Sequence, residues 1–173
     1  MKIIIFLFLL FSSVFAFAQT EVFFSPSKKC ENGLMGLIEG SKDTIDVAVY
    51  SINNTNLVDA LKKAYKRGVK IRILTDRIQA AGKSSKVRDL YDVGLNVRVH
   101  SKHKIEHNKF AIFDDKKAST GSYNWTNPAT DKNSENCVFF TDDAKVVAEY
   151  QKRFEYLWKV NTKKASEEWF TKH

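Results

Sequence analysis

The sequence predicts an α/β fold in which helices cover one β-sheet. Strand-like segments alternate with helical segments through the first hundred residues, which is typical of strands connected by helices. The length of 173 residues suits a single domain. A hydrophobic content of 43%, with 13% aromatic residues, can fill a core, so we expect one folded domain.

Seven short segments rich in β-branched and other apolar residues predict strands. The second is apolar enough to lie inside a sheet, the third alternates as a core strand, and a polar turn joins the fifth to the sixth. In chain order the strands cover residues 20–25, 44–50, 69–75, 95–99, 109–113, 118–122 and 136–141.

Four segments with apolar residues at three- and four-residue spacing predict helices. Cap and stop residues set their limits. In chain order, one ends near Ser41, one runs from Asn54 or Thr55 to Gly68, one runs from Ser84 or Ser85 to Gly94, and one covers 142–160. Residues 76–82 and 101–106 are expected to be loops, and the tail from Thr162 carries no clear pattern.

Residues 1–18 have the layout of a secretory signal peptide. A positive start precedes an unbroken apolar run over residues 3–11, and an A-x-A pattern ends at Ala18. We predict cleavage after Ala18, which leaves residues 19–173 as a periplasmic or secreted domain. The alternative is an uncleaved N-terminal membrane anchor, although the apolar stretch is shorter than the ~20 residues of a spanning helix.

Export would place the two cysteines, Cys30 and Cys137, in an oxidising compartment, where they can pair. The sequence cannot show that they are close together. A disulfide and two free thiols therefore both remain open.

Six chemically distinctive residues within eighteen positions form the pattern H-x-K-x4-D-x6-G-S-x-N over residues 107–124. A neutral imidazole can attack a phosphodiester without adding negative charge, and it can form a covalent phosphohistidine. A lysine offers a cation to a nonbridging oxygen, while amide and hydroxyl groups are neutral donors. The six positions are His107, Lys109, Asp114, Gly121, Ser122 and Asn124.

The spacing also predicts that these groups meet. If the fifth strand begins at His107, then His107 and Lys109 share one face of it. The following hairpin would bring Ser122 and Asn124 beside them, where both could bind a phosphate.

This pattern resembles the HKD signature of the phospholipase D superfamily, whose members cleave phosphodiester bonds in nucleic acids or lipids. The resemblance implies a phospholipase D-like mixed sheet flanked by helices on both faces, and a reaction that needs no metal or cofactor. It also implies that His107 is the nucleophile and that Lys109 and Asn124 bind the phosphate. Asp114, commonly counted with the active site, would mainly support the motif.

The likeness extends to small bacterial Nuc-type endonucleases over about residues 21–158. The segment K-N-S-E-N at residues 132–136 carries it, and the resemblance implies that Glu135 orients the catalytic histidine. The superfamily reaction needs a second histidine to protonate the leaving oxygen, whereas this chain has one motif. We therefore predict a homodimer in which two copies of His107 form one composite site.

The net charge of +8 favours an anionic partner, although a solvated basic surface is the alternative. We predict a non-specific endonuclease acting on DNA or RNA, because basic loops suit a phosphate backbone. Trp125 could stack on a base or belong to the core or rim. Hydrolysis of phospholipids such as cardiolipin or phosphatidylcholine at a membrane is the alternative. The basic loop residues are Lys83, Lys86, Arg88, Lys102 and Lys104.

Two other interpretations compete with this one. His103, Glu106 and His107 match the zinc pattern H-x-x-E-H, but that chemistry needs a helix, and the segment falls in a predicted loop. A catalytically silent nucleic-acid-binding module is the other, and the intact six-residue motif argues against it.

Overall fold

The computed structural model describes residues 18–173, so the predicted signal peptide lies outside the described residues except for Ala18. Seven strands form one mixed sheet in the order β1-β7-β6-β5-β2-β3-β4. They are β1 (Gln19–Ser25), β2 (Thr44–Val49), β3 (Lys70–Asp76), β4 (Asn96–His100), β5 (Lys109–Phe113), β6 (Lys117–Gly121) and β7 (Glu135–Thr141). Each lies within one residue of its predicted limits.

Helices cover both faces of the sheet, as predicted. They are α1 (Lys29–Gly40), α2 (Thr55–Lys66), α3 (Arg77–Ala80), α4 (Val87–Asp92), α5 (Asn127–Asp131), α6 (Ala144–Val160) and α7 (Lys163–Lys172). The larger apolar core packs α1, α2, α4 and α7 against one face. The helix α6 covers the other face with Val147, Phe154, Leu157 and Trp158.

The directions of the strands bring several chain segments to one edge of the sheet. Strands β2, β3 and β4 are parallel, and β5 runs antiparallel to β2, so Val49 at the end of β2 pairs with Lys109 at the start of β5. Likewise, Gly121 at the end of β6 pairs with Cys137 near the start of β7. The carboxyl ends of β2, β3, β4 and β6 therefore meet the amino ends of β5 and β7 there.

Cys30 in α1 and Cys137 in β7 form a disulfide, with Cα atoms 5.9 Å apart. This resolves the pairing that the sequence left open. Both residues are buried, and the bond ties the helical layer to the strand that begins at the edge described above.

Three helices have no clear signal in the sequence. The single turn α3 replaces part of a predicted loop, and Asp76 caps it by accepting from two backbone N–H groups. Helix α5 is also short, and Thr126 caps it. Helix α7 is capped by Thr162, and its Phe170 stacks on Tyr91 with ring centroids 3.8 Å apart. Elements this short, or with so few apolar residues, show no helical periodicity.

Among residues 18–173, no helix combines the length and the apolar character needed to cross a bilayer.

The disulfide closes a segment with a sequence separation of 107 residues. Reduction should therefore lower the free energy of unfolding by about 2–5 kcal/mol, because the unfolded chain regains conformational freedom. Urea unfolding with and without dithiothreitol measures this. The double variant Cys30→Ser/Cys137→Ser should have a lower free energy of unfolding than the oxidised protein, and dithiothreitol should not change it. Equal stability of the oxidised and reduced proteins would contradict the pairing.

Candidate active site

The motif residues converge on a cleft of about 530 Å³ at the sheet edge where the strand ends meet. Every side chain in its lining is polar, and glycine is the remaining residue. The lining consists of His107, Lys109, Gly121, Ser122, Asn124, Glu135 and Asn136. The structure thus brings together all the predicted site residues except Asp114.

His107 is exposed and lies in the loop immediately before β5. Strand β5 begins at Lys109 rather than at His107, but the Tyr50 N–H donates to the Asn108 carbonyl (2.9 Å), which keeps this segment beside β2. The ring of His107 packs against the ring of Tyr50, with centroids 4.7 Å apart. His107 and Lys109 therefore still face the same cleft, as the spacing predicted.

Lys109 is almost buried, and its ammonium group is held by a donated hydrogen bond to the His107 carbonyl (2.6 Å). The ammonium nitrogen also lies 5.1 Å from the centre of the Tyr50 ring, a cation–π contact. Burial lowers the pKa of Lys109, while the carboxylates of Glu135 and Glu106 oppose that shift. The cleft thus holds one fixed cation close to the exposed imidazole, where a phosphate oxygen can bind.

The turn after β6 depends on Gly121. Its φ of +142° lies in the region that favours glycine, and a Cβ atom here would collide with the carbonyl oxygen of Asn136. That same carbonyl accepts from the N–H groups of Ser122 and Tyr123, at 3.1 and 3.2 Å. The close approach of β6 and β7 therefore fixes the position of the motif's G-S segment.

Ser122 donates its hydroxyl proton to Glu135 (2.6 Å), and its oxygen accepts from the Asn136 N–H (3.0 Å). The other carboxylate oxygen of Glu135 accepts from the Asn133 side chain (3.0 Å). Ser122 must turn away from Glu135 before it can donate to a phosphate. Within residues 18–173, Glu135 makes no hydrogen bond to His107, so its predicted orienting role stays a prediction.

Asn124 offers a free side-chain amide at the cleft. Its side chain makes no hydrogen bond within the described part of the chain, and its Oδ1 is buried without a partner. An unpaired buried amide is costly unless a ligand or water completes it. A phosphate oxygen cannot donate to this Oδ1, but the Nδ2 of the same amide is free to donate to one, which is what the predicted role of Asn124 as a phosphate ligand requires.

Tyr123, between Ser122 and Asn124, anchors the motif to the core. Its hydroxyl forms a hydrogen bond with Thr130, which in turn donates to the buried carboxylate of Glu31 (3.1 Å). Burial raises the pKa of Tyr123 to about 12, so the hydroxyl keeps its proton. The residue that separates the two candidate phosphate ligands is thereby immobilised.

Asp114, which is commonly counted with the active site, lies outside the cleft, and its contacts fit the supporting role that the resemblance implies. It follows the last residue of β5, whereas Lys109 is the first, and five strand residues span roughly 15 Å. Its Oδ1 accepts from the N–H groups of Asp43 (2.8 Å) and Thr44 (3.0 Å), and its Oδ2 from that of Lys42 (2.9 Å). Asp114 therefore joins β5 to the start of β2.

Two further expectations are decided by burial and local geometry. Trp125 is 2% exposed and bridges to Ile52, so it is a core residue and cannot stack on a base. The segment from His103 to His107 contains no helix, so the zinc interpretation lacks the geometry that its pattern requires. Among residues 18–173, no three His, Cys, Asp or Glu side chains are grouped to hold a metal ion.

Two residues at the site lie outside the six-residue motif. Tyr50 directly follows β2 and packs against His107, and Asn136 closes the cleft from β7. Asn136 falls in the K-N-S-E-N segment, which gave the one available signal for it. No sequence signal distinguishes Tyr50 from a core residue.

Phosphodiesterases of the phospholipase D superfamily combine a mixed sheet of this kind with this motif, and the protein falls in that class. A family within this superfamily can also be assigned. Residues 34–158 match the family described as "Cardiolipin synthase, PLD-like domain", and the chain belongs to that family.

Among curated proteins, the chain is 32% identical to a mitochondrial cardiolipin hydrolase of Xenopus laevis, over 80% of this chain and 70% of the relative. It is 35% identical to a phospholipase D of Rickettsia prowazekii, over 73% and 62%. A mitochondrial cardiolipin hydrolase of Chlamydomonas reinhardtii is also 35% identical, but the chain spans 51% of its length.

Among solved structures, the chain is similar to Nuc, a phospholipase D family member from Salmonella typhimurium. The TM-score is 0.80 at 28% identity, covering 84% of this chain and 97% of Nuc. NucT from Helicobacter pylori gives a TM-score of 0.72 at 25% identity, covering 81% of this chain and 95% of NucT.

The hydrogen bonds of Asp114 lead to a stability prediction that distinguishes a supporting role of this residue from a catalytic one. Asp114→Ala should lower the free energy of unfolding by about 1–3 kcal/mol, because three backbone N–H groups lose their carboxylate. Burial opposes ionisation of Asp114, but the backbone hydrogen bonds outweigh it and lower its pKa. The stabilising contribution of Asp114 is therefore present above pH ~4 and is lost as the pH falls through the folded-state pKa. Urea unfolding at pH 7 and at pH 3 should show a smaller difference between wild type and variant at pH 3.

Asp114→Asn keeps one acceptor oxygen and should be intermediate in stability. Turnover per folded molecule should stay within a few-fold of wild type in both variants. A loss of turnover of a hundredfold or more in a folded, stable Asp114→Asn protein would instead assign Asp114 to the chemistry.

Proposed function

We propose that the protein is a metal-independent phosphodiesterase that cleaves DNA or RNA as a non-specific endonuclease. The observation that carries this proposal is the cleft around His107, which is lined by polar side chains and one glycine and holds an exposed imidazole and a nearly buried lysine. A phosphate backbone needs cationic and amide contacts, whereas acyl chains need an apolar wall next to the site.

The proposed reaction begins with attack of the neutral His107 imidazole on phosphorus, while Lys109 and Asn124 bind the nonbridging oxygens. A P–N bond forms, the bond from phosphorus to the leaving oxygen breaks, and that oxygen takes a proton from a second imidazolium. Water then attacks phosphorus as the second imidazole accepts its proton. The P–N bond breaks and returns its electron pair to His107.

The second imidazole must come from another subunit. Of the four histidines in the chain, His107 is the one that lines the cleft among residues 18–173. His100 is buried, His103 stacks on the His100 ring with centroids 5.1 Å apart, and His173 stacks on Trp169. We therefore propose a homodimer in which His107 of the partner subunit serves as the acid.

Two observations, besides the polar lining of the cleft, support nucleic acid over lipid. The chain spans nearly all of Nuc and of NucT, but 51–70% of the lipid hydrolases compared above. Lys102 and Lys104 are exposed on the loop leading to His107, and Lys83 is exposed as well. In contrast, Lys86 and Arg88 form ion pairs with Asp89 and Asp92 and contribute less free charge.

Phospholipid hydrolysis is the second candidate, and the names of the sequence relatives favour it. We propose export to the periplasm or medium in either case, with retention by an N-terminal anchor as the alternative. The A-x-A pattern at Ala18 and the disulfide between Cys30 and Cys137 support export.

The substrate proposal predicts the outcome of one panel. The purified domain, in EDTA, should cleave plasmid DNA, single-stranded DNA or RNA, and leave cardiolipin and phosphatidylcholine vesicles intact. His107→Asn should lose at least about a thousandfold in turnover while it still binds DNA in a filter assay. Cleavage of the vesicles alone would move the proposal to a lipid substrate, and full cleavage by His107→Asn would refute the mechanism.

The composite site predicts how mixed dimers behave. If wild type and His107→Asn subunits are unfolded and refolded together in equal amounts, about a quarter of the dimers keep two histidines. Activity should then fall to about a quarter of that of a control that contains the same total amount of protein, all of it wild type and refolded in the same way. A value near half of that control would show that each subunit works alone.

A further inference from the structure

We propose that Asp76 and Glu106 are positioning residues, which hold the backbone and the ring of His107 in place for attack on phosphorus. This inference rests on the proposed role of His107 as the nucleophile. Both carboxylates lie outside the six-residue motif, and neither lines the cleft.

Asp76 holds the two segments that contact His107 and its neighbours. It ends β3, is 1% exposed, and uses both oxygens on backbone donors. Its Oδ1 accepts from the N–H groups of Ile78 (2.9 Å) and Gln79 (3.1 Å), and its Oδ2 accepts from that of Glu106 (2.9 Å). A buried carboxylate is tolerated when its oxygens are bonded in this way. Asp76 thus fixes both α3 and the loop residue before His107.

The first connection to His107 runs through the backbone. Glu106 is 2% exposed, and its side chain folds back over the following residues. Its Oε1 accepts from the backbone N–H (3.2 Å) and from the side-chain amide (2.5 Å) of Asn108. Residues 106 and 108 are therefore clamped together around His107. The bond from the Tyr50 N–H to the Asn108 carbonyl then fixes this clamp against β2.

The second connection runs through the ring. Gln79, in the turn that Asp76 caps, donates from its side-chain amide to the Tyr50 hydroxyl (2.9 Å). The Tyr50 ring packs against the His107 ring at 4.7 Å. Within residues 18–173 the His107 imidazole makes no hydrogen bond of its own. Contact with the Tyr50 ring is therefore the interaction that orients the His107 imidazole within one subunit.

The other oxygen of Glu106 has a weaker neighbour. Its Oε2 lies 3.8 Å from Nε2 of His100, which is too far for a hydrogen bond. Burial lowers the pKa of His100, so this imidazole is neutral near pH 7. The hydrogen bonds accepted by the Glu106 side chain are therefore those from Asn108. Glu106 thus mainly restrains the segment that carries His107.

The matched pair Glu106→Ala and Glu106→Gln tests the backbone connection. Alanine removes the acceptor for Asn108, whereas glutamine keeps an amide oxygen in its place. With bis(4-nitrophenyl) phosphate as the probe, Glu106→Ala should lose about 10- to 100-fold in kcat with KM within about threefold, since small misplacements of a nucleophile cost rates of this size. Glu106→Gln should stay within about threefold of wild type, as should the exposed-side-chain control Glu39→Ala.

The variants Gln79→Ala and Tyr50→Phe test the ring connection and do not depend on whether Glu106→Ala folds. Each removes the bond between the amide and the hydroxyl and leaves the Tyr50 ring in place. Both should lower kcat about three- to tenfold and change the His107 ring signals in ¹H–¹⁵N spectra. An unchanged kcat in folded Glu106→Ala, or in both ring variants, would overturn the corresponding connection.

These results are separable from a failure of the proposed function. If wild type did not hydrolyse the probe through His107, the nucleophile assignment would fall. The ring signals of His107 would still report whether Glu106 and Gln79 hold it. Unchanged signals in both Glu106→Ala and Gln79→Ala would refute the positioning inference on its own.

Discussion

The antiparallel pairing of β5 with β2 is the constraint on which the site depends. It pairs Val49 with Lys109, so a strand that begins with the motif starts where its parallel neighbours end. Loops after β2 and β3 and the turn after β6 then share one edge with His107. If β5 ran parallel to β2, the lysine would lie at the other end of the sheet, about 15 Å away. Asp114, at the far end of β5, stabilises this arrangement by binding the backbone at the start of β2.

The electrostatics of the cleft follow from unequal burial. Lys109 is nearly buried beside the Tyr50 ring and donates to the His107 carbonyl, so the cation has little freedom. His107 is exposed and has no hydrogen-bond partner among residues 18–173. A fixed cation beside an accessible imidazole suits a nucleophile that must approach an anionic phosphorus centre. Tyr50, Gln79 and Glu106 limit the motion of that imidazole without bonding to it.

The sequence predicted the sheet well because each strand carries a local signal. Segments such as T-I-D-V-A-V-Y and K-F-A-I-F are mostly β-branched or apolar, and their limits were right to within one residue. The motif spacing also predicted that His107, Lys109, Ser122 and Asn124 meet. Contacts between distant segments were beyond prediction. The disulfide, the burial of Trp125 and the docking of α7 each depend on packing that no local pattern encodes. Glu106 was noticed for a zinc pattern, whereas its side chain bonds to Asn108.

The central claim is that phosphoryl transfer passes through His107 without a metal ion. It is tested most directly by trapping the intermediate. A labelled oligonucleotide would be mixed with the protein in EDTA, and the reaction quenched in alkaline detergent, which preserves a P–N bond. Mass spectrometry of the digested protein should then find a phosphoryl adduct on the peptide that carries His107, and none in His107→Asn. Rapid cleavage with no adduct at any quench time, or an adduct on another residue, would contradict the claim.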